Sequence, residues 1–262
     1  MPWSSRLNAE IYDRFVREHG VYRWLNEHLV EDAEIAAARR ILDLGCGTGA
    51  TVSACLARMT AGAEIVGVDA ARAMVEVARA NLHDSRASFE VAPAAELSGV
   101  TGLASDFDRV VSNAAFWQFR WPQRVFAGIA ERTSPGALVA FNIPAERLVD
   151  EEASVHSFQI ALDSEIRSEQ TGGSTQDPAI DPGQLLSMAA ESHLEPVARH
   201  RRVYQGTQGE LVELMSIPAM IGRVAAGLDE ERRDAVLERV RRRIDPDERV
   251  EVPWVTFVLR RR

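Results

Sequence analysis

Residues 41–49 read Ile-Leu-Asp-Leu-Gly-Cys-Gly-Thr-Gly and constrain the fold more than any other stretch of the chain. An apolar run carrying Asp43 reads as a β-strand. It turns on Gly45, Gly47 and Gly49 into the helical pattern of residues 50–58. Glycine at 45 and 47 lets the backbone lie flat against a ligand that a Cβ would strike. The first N–H groups of the following helix then face an electron-rich group. A second apolar run, Ala63 to Val68, ends in Asp69, twenty residues past Gly49. An acid at the tip of a second strand suits the two hydroxyls of a ribose. Together these features imply a small-molecule ligand that contains adenosine.

Two cofactors satisfy that description. Gly45 to Ala50 fits the loose G-x-G-x-x-A pattern of NAD binders. Asp43 favours the other candidate. A nearby carboxylate repels a pyrophosphate but attracts the α-ammonium of S-adenosyl-L-methionine through a charge-assisted hydrogen bond. The stretch resembles motif I of the class I S-adenosylmethionine-dependent methyltransferases, D-x-G-x-G-x-G. Phe107 to Ala115 is similar to that family's motif IV, Ser134 to Phe141 to its turn into the fifth strand, and Val252 to Val258 to its closing antiparallel strand. The segment Ser112 to Phe119, with Asn142-Ile143-Pro144, is similar to the trans-aconitate and malonyl-carrier carboxyl methyltransferases.

The periodicity predicts an α/β fold. Two helices occupy residues 5–38, split near Gly20. Strands are expected at 40–44, 63–68, 87–91, 107–112 and 137–143, with helices at 48–60, 71–82, 94–98 and 122–133 between them. Residues 133–136 read as a turn. Residues 145–190 break the rhythm; they are polar, interrupted at Gly172-Gly173-Ser174, with helices expected around 149–169 and 183–191. A sixth strand at 194–204, helices at 208–225 and 229–243, and a last strand at 249–260 complete the reading. Apolar strands alternating with helices imply a sheet covered on both faces. The expected architecture is a Rossmann-like seven-stranded mixed sheet with an N-terminal helical extension (1–38), a cofactor-binding core (39–144), an inserted lid (145–193) and a C-terminal part of the core (194–262).

The resemblance implies residue roles. Asp43, Gly45, Cys46, Gly47 and Gly49 hold the methionine end of the cofactor, Asp69 takes the ribose, and Ala70 and Met74 pack on ribose and adenine. The family usually has an acid after the third strand for the adenine amino group; here Pro93 stands there, so backbone groups of Ala94 and Ala95, or Glu96, take its place. Asn113 and Ala114 are expected to touch the cofactor or the methyl path. Trp117 is expected to line the substrate pocket, and Tyr12 and Tyr22 to close over it from the N-terminal helices. His156, in the inserted segment, is the candidate general base.

Composition removes other classes. The 262 residues carry a net charge of −9, against a nucleic-acid partner. All thirty basic residues are arginine, so no Schiff-base or P-loop lysine exists. Neither the two cysteines nor the six histidines have metal-ligand spacing, so no metal is expected. No apolar run reaches the ~20 residues of a membrane span. The first residues lack a secretory pattern, and a cytoplasmic protein is expected. The expected activity is methyl transfer to a small-molecule oxygen, carboxylate or hydroxyl, free or carrier-bound, in a biosynthetic pathway, with S-adenosyl-L-homocysteine as product. Rival readings are an N- or C-methyltransferase and a cofactor-binding cyclase or regulatory protein that does not methylate. A carboxylate acceptor would need a cation, and Arg120, Arg124 and Arg147 are the nearest to the expected mouth. Oligomeric state is left open.

Overall fold

The computed structural model describes residues 2–152, 154–169 and 178–262. Helices α1 (Arg6–Glu18) and α2 (Val21–Asp32) precede strand β1 (Arg40–Leu44). Ser5 caps α1 by accepting the N–H of Asn8, and the chain leaves the helix at His19 and Gly20 as the sequence suggests. Next come α3 (Ala50–Leu56), β2 (Glu64–Asp69), α4 (Arg72–Asn81), β3 (Ala87–Val91), β4 (Phe107–Ser112), α5 (Pro122–Arg132) and β5 (Thr133–Pro144). The remainder is α6 (Ser157–Glu169), α7 (Pro182–Glu191), β6 (Leu194–Thr207), α8 (Gln208–Met215), α9 (Pro218–Val224), α10 (Glu230–Arg241) and β7 (Arg249–Arg261).

The seven strands form one mixed sheet in the order β3-β2-β1-β4-β5-β7-β6. All pairs from β3 to β5 are parallel, and β7 runs antiparallel between β5 and β6. The order reverses between β1 and β4, so a crevice opens at their C-terminal ends, where α/β sheets bind ligands. Alternate residues of β1 serve opposite faces. Ile41 packs with Leu29, Val52 and Val75 beneath α2, α3 and α4. Leu42 and Leu44 pack with Phe107, Phe126 and Phe141 beneath α5.

Four boundaries depart from the sequence reading. The expected turn at 133–136 lies inside β5; Phe107 pairs with Thr133, the register then slips, and Gly136 absorbs the slip at φ 84°. The helix expected from 149 begins only at Ser157. Asp150 and Glu151 do not head a helix, because they pair with Arg199 and Arg201 of β6. The helix expected over 208–225 is two, broken where Pro218 removes a backbone donor and restarts the chain as α9. The helix read over 48–60 stops at Leu56. The Gly172-Gly173-Ser174 break lies outside the described residues.

The inserted segment does not stay together. Phe158, Leu162 and Ile166 of α6 pack on Val236, Leu237 and Val240 of α10, with Val212 of α8. Leu185 and Ala189 of α7 return to the core cluster with α5. No helix among the described residues is long and apolar enough to cross a membrane.

Candidate cofactor and acceptor site

The loop after β1 is held by β2. The N–H groups of Gly45 and Cys46 both donate to the Val68 carbonyl, at 2.8 and 3.2 Å. Asp69 accepts the N–H of Gly47 on one oxygen (3.0 Å) and that of Ala71 on the other (2.8 Å). Gly45, Gly47 and Gly49 all have left-handed backbones, at φ 75°, 53° and 92°. What a Cβ would meet first at these positions is protein. It would stand 2.5 Å from Ala115 at Gly45, 3.4 Å from the Tyr12 ring at Gly47, and 2.8 Å from Leu82 at Gly49. At Gly45 and Gly49 both turn geometry and close packing require glycine irrespective of any ligand; at Gly47, where 3.4 Å is an ordinary contact, the left-handed backbone alone favours it.

Asp43 lies under this loop with no exposed surface. Neither of its carboxylate oxygens has a hydrogen-bond partner among the described residues. Burial, and then the charge of Asp69, push its pKa well above the usual carboxylate range. A buried carboxylate in this state is an acceptor prepared for a cation, and the α-ammonium of S-adenosylmethionine fits it. Asp69 keeps accepting capacity beyond its two backbone bonds, enough for ribose hydroxyls. Burial raises its pKa too, against the lowering effect of those two bonds.

The ring of Tyr12 lies against Gly47; it meets Trp3 edge-on and Tyr22 at a tilt, at centroid distances of 5.7 and 5.5 Å. Burial raises its pKa well above that of a free phenol, and the charges of Asp69 and Asp43 add to the effect. Tyr22 is buried among Phe15, Leu25, Ala114 and Trp254. Cys46 is buried inside the loop, and burial drives its thiol pKa well up, so it is a packing residue and no nucleophile. Met74 is buried with Ala9, Ala71 and Ala73 against Trp3 and Tyr12, beneath α1. Ala70, just beyond Asp69, is half-buried.

Beyond β3 an open groove of about 520 Å³ is lined by Val91, Ala92, Pro93, Glu96, Gly99 and Val100. Ala94 and Ala95 flank it, half-buried against the core. Pro93 has no N–H to offer, and Glu96 supplies the groove's one carboxylate.

At the tip of β4, Asn113 is buried, and its amide is engaged by Asn26 and Asn142. Its side chain thus braces the strand ends. Ala114 has a left-handed backbone, at φ 52°. The Trp117 indole N–H donates to the Ala114 carbonyl at 2.9 Å. Two guanidiniums lie over the Trp117 ring, Arg147 at 5.4 Å and Arg223 at 4.5 Å. Arg147 was a sequence candidate. Arg223 comes from α9 and no local signal marks it. Arg120 is exposed, and Arg124 lies over the exposed Trp121 at 5.6 Å. Phe116 is core, stacked on Phe141 at 4.0 Å. His156 lines a separate cleft of about 20 Å³ with Pro144, Glu146, Ser154, Val252 and Pro253, room for a water molecule at most. No metal-ligating cluster is present among the described residues.

Residues 41–136 match a family model described as a methyltransferase domain. That stretch is a methyltransferase domain. The match spans β1 to the start of β5, and so contains Asp43, the glycine loop and Asp69. Among curated relatives, the trans-aconitate 2-methyltransferase of Delftia acidovorans is 31% identical over 53% of this chain and 50% of its own. The malonyl-[acyl-carrier protein] O-methyltransferase of Bacillus cereus is 28% identical over 51% and 48%. The chain therefore spans about half the length of these relatives. Among solved structures, the [4+2]-cyclase SpnF aligns with a TM-score of 0.58 at 15% identity, over 91% of this chain and 80% of that one. That likeness is one of fold. The seven-stranded order fits a class I methyltransferase, and the family's cofactor is S-adenosylmethionine.

Proposed function

We propose that this methyltransferase domain transfers the methyl group of S-adenosylmethionine to a carboxylate oxygen of a small acid, free or carrier-bound. The observation that carries the acceptor class is the pair of guanidiniums, Arg147 and Arg223, over Trp117 beside the tip of β4. Cations placed by an aromatic wall suit a planar anion. The names of the curated relatives, which concern trans-aconitate and a malonyl carrier, support the same class.

When bound, S-adenosylmethionine supplies a methyl group already activated on a sulfonium. The chain has to hold, align and desolvate. Asp43 takes the α-ammonium, and the glycine loop with Asp69 takes the methionine end and the ribose. Glu96 serves the adenine amino group in place of the acid that Pro93 displaces. Alignment of this kind is worth ~7–11 kcal/mol of the barrier. A carboxylate is already ionised at neutral pH, so no proton must be removed. That fits the position of His156 in a cleft sized for water.

The test is release of S-adenosylhomocysteine with a panel of acids, trans-aconitate and malonyl thioesters among them, against phenols and amines. Arg147→Ala and Arg223→Ala should each raise KM for the acid about tenfold or more with kcat less affected, as expected for lost ground-state binding worth ~1.4 kcal/mol or more. His156→Ala should retain most turnover. A collapse of kcat in His156→Ala with flat responses at both arginines would overturn the carboxylate reading in favour of a protonated hydroxyl or amine.

A further inference from the structure

Three buried asparagines far apart in the sequence form one hydrogen-bonded line. The N–H of Ala114 donates to Asn142 Oδ1 at 2.6 Å. Asn142 Nδ2 donates to Asn113 Oδ1 at 2.7 Å, and Asn113 Nδ2 donates to Asn26 Oδ1 at 2.8 Å. Asn26 lies on α2, Asn113 just past β4, and Asn142 on β5, with exposures of 3%, 9% and 1%. The direction of the line is dictated at one end. A backbone N–H can only donate, so Asn142 must present its oxygen to Ala114, which turns its amide nitrogen to Asn113 and so on down the line.

The line ends on a strained residue. Ala114 holds a left-handed backbone that costs an alanine roughly 1–2 kcal/mol. Its carbonyl accepts both the Trp117 indole N–H (2.9 Å) and the Gln118 amide (3.3 Å). Gln118 in turn accepts the Trp3 indole N–H at 3.0 Å and Arg223 Nη1 at 3.4 Å. Strain of this kind persists only where the surroundings over-determine it. Here the surroundings are Asn142, and its output is the setting of Trp117 and Gln118.

We infer that Asn142 and Asn113 are positioning residues: acting through Ala114, they set the Trp117 platform on which the acceptor anion is held. The inference takes the location of the acceptor site from the function proposed above, but the relay itself is read separately. The test uses the whole chain loaded with S-adenosylhomocysteine and follows the ¹⁵N indole resonance of Trp117, assigned with Trp117→Phe. In Asn142→Leu, hydrogen exchange at the Trp117 indole should speed up about tenfold or more, while that of Trp254 is unchanged. The citrate concentration that half-shifts the Trp117 resonance should rise about tenfold, with S-adenosylhomocysteine affinity within about twofold of the parent. Asn113→Leu leaves the Ala114 bond in place but unbraced, and serves as the milder variant if Asn142→Leu does not fold. Asn113→Asp should rescue, because a carboxylate still accepts from Asn142 and Asn26 can turn its amide to donate. Folded leucine variants with unchanged indole exchange and unchanged citrate response would overturn the inference. So would an Asn113→Asp as impaired as Asn113→Leu. A parent resonance indifferent to citrate would instead sink the carboxylate reading of the site, and indole exchange would still judge the relay.

Discussion

A carboxylate with neither surface nor a protein partner is costly to ionise, and Asp43 is such a group among the described residues. Its folded pKa stands above the unfolded value near 3.9. The stability it contributes is therefore full below about pH 3.9 and is lost as pH rises through the folded pKa. Asp43→Asn removes that loss. Without cofactor the variant should be more stable than the parent at neutral pH by ~1–3 kcal/mol, and the two should converge in acid, as read by denaturant unfolding across pH. A variant less stable at every pH would show that Asp43 has a protein partner in solution. Cofactor affinity should also fall as pH drops through the raised pKa of Asp43, since a protonated carboxyl no longer attracts an ammonium. Asp69→Ala should weaken S-adenosylmethionine binding by ~1.5–3 kcal/mol, from its lost charge-assisted bonds. Calorimetry of the folded variant with parent-like affinity would remove Asp69 from the cofactor site.

Among the elements, the β1–α3 turn shows what a short motif can specify. Gly49 has φ 92°, and a Cβ there would meet Leu82 at 2.8 Å and Ala78 at 3.3 Å. Gly49→Ala should cost ~1–3 kcal/mol in unfolding free energy. Gly62 has open space around it and no such backbone, so Gly62→Ala is the near-neutral control. Equal costs at the two sites would mean that turn geometry is not what the glycine supplies. This turn could be read from the sequence because its determinants lie within nine residues of one another. The strands of the parallel core were legible for a similar reason, since each is a continuous apolar run between helical patterns. The break before α9 carried a local signal in Pro218, which argues against one helix over 208–225. The late start of α6 had no such signal. Asp150 and Glu151 head a plausible helix in isolation, and only their pairing with β6, some fifty residues on, draws them away. Arg223 and the asparagine line were invisible for the same reason, because the sheet assembles them from α2, β4, β5 and α9.

In the molecule as a whole, α1 packs over the glycine loop. Tyr12 lies on the glycine loop, and Asn81 of α4 donates to Asp13 of α1 at 2.8 Å and to the Thr48 carbonyl at 3.5 Å. A ligand that reaches the fully buried Asp43 must displace this cover. Amides of α1 should therefore exchange faster than those of β1 and β4, and should slow when S-adenosylhomocysteine is added. Exchange in α1 indifferent to the ligand would make the helix a fixed wall. The crevice at the tips of β1 and β2 should be an S-adenosylmethionine site with Asp43 as its cation acceptor. Titration calorimetry with S-adenosylhomocysteine tests it most directly. Saturable binding at one site per chain, abolished by Asp43→Ala in a folded protein and not reproduced by NAD, is the predicted result. Binding of NAD, or binding of S-adenosylhomocysteine that survives Asp43→Ala unchanged, would remove Asp43 and this crevice from S-adenosylmethionine binding.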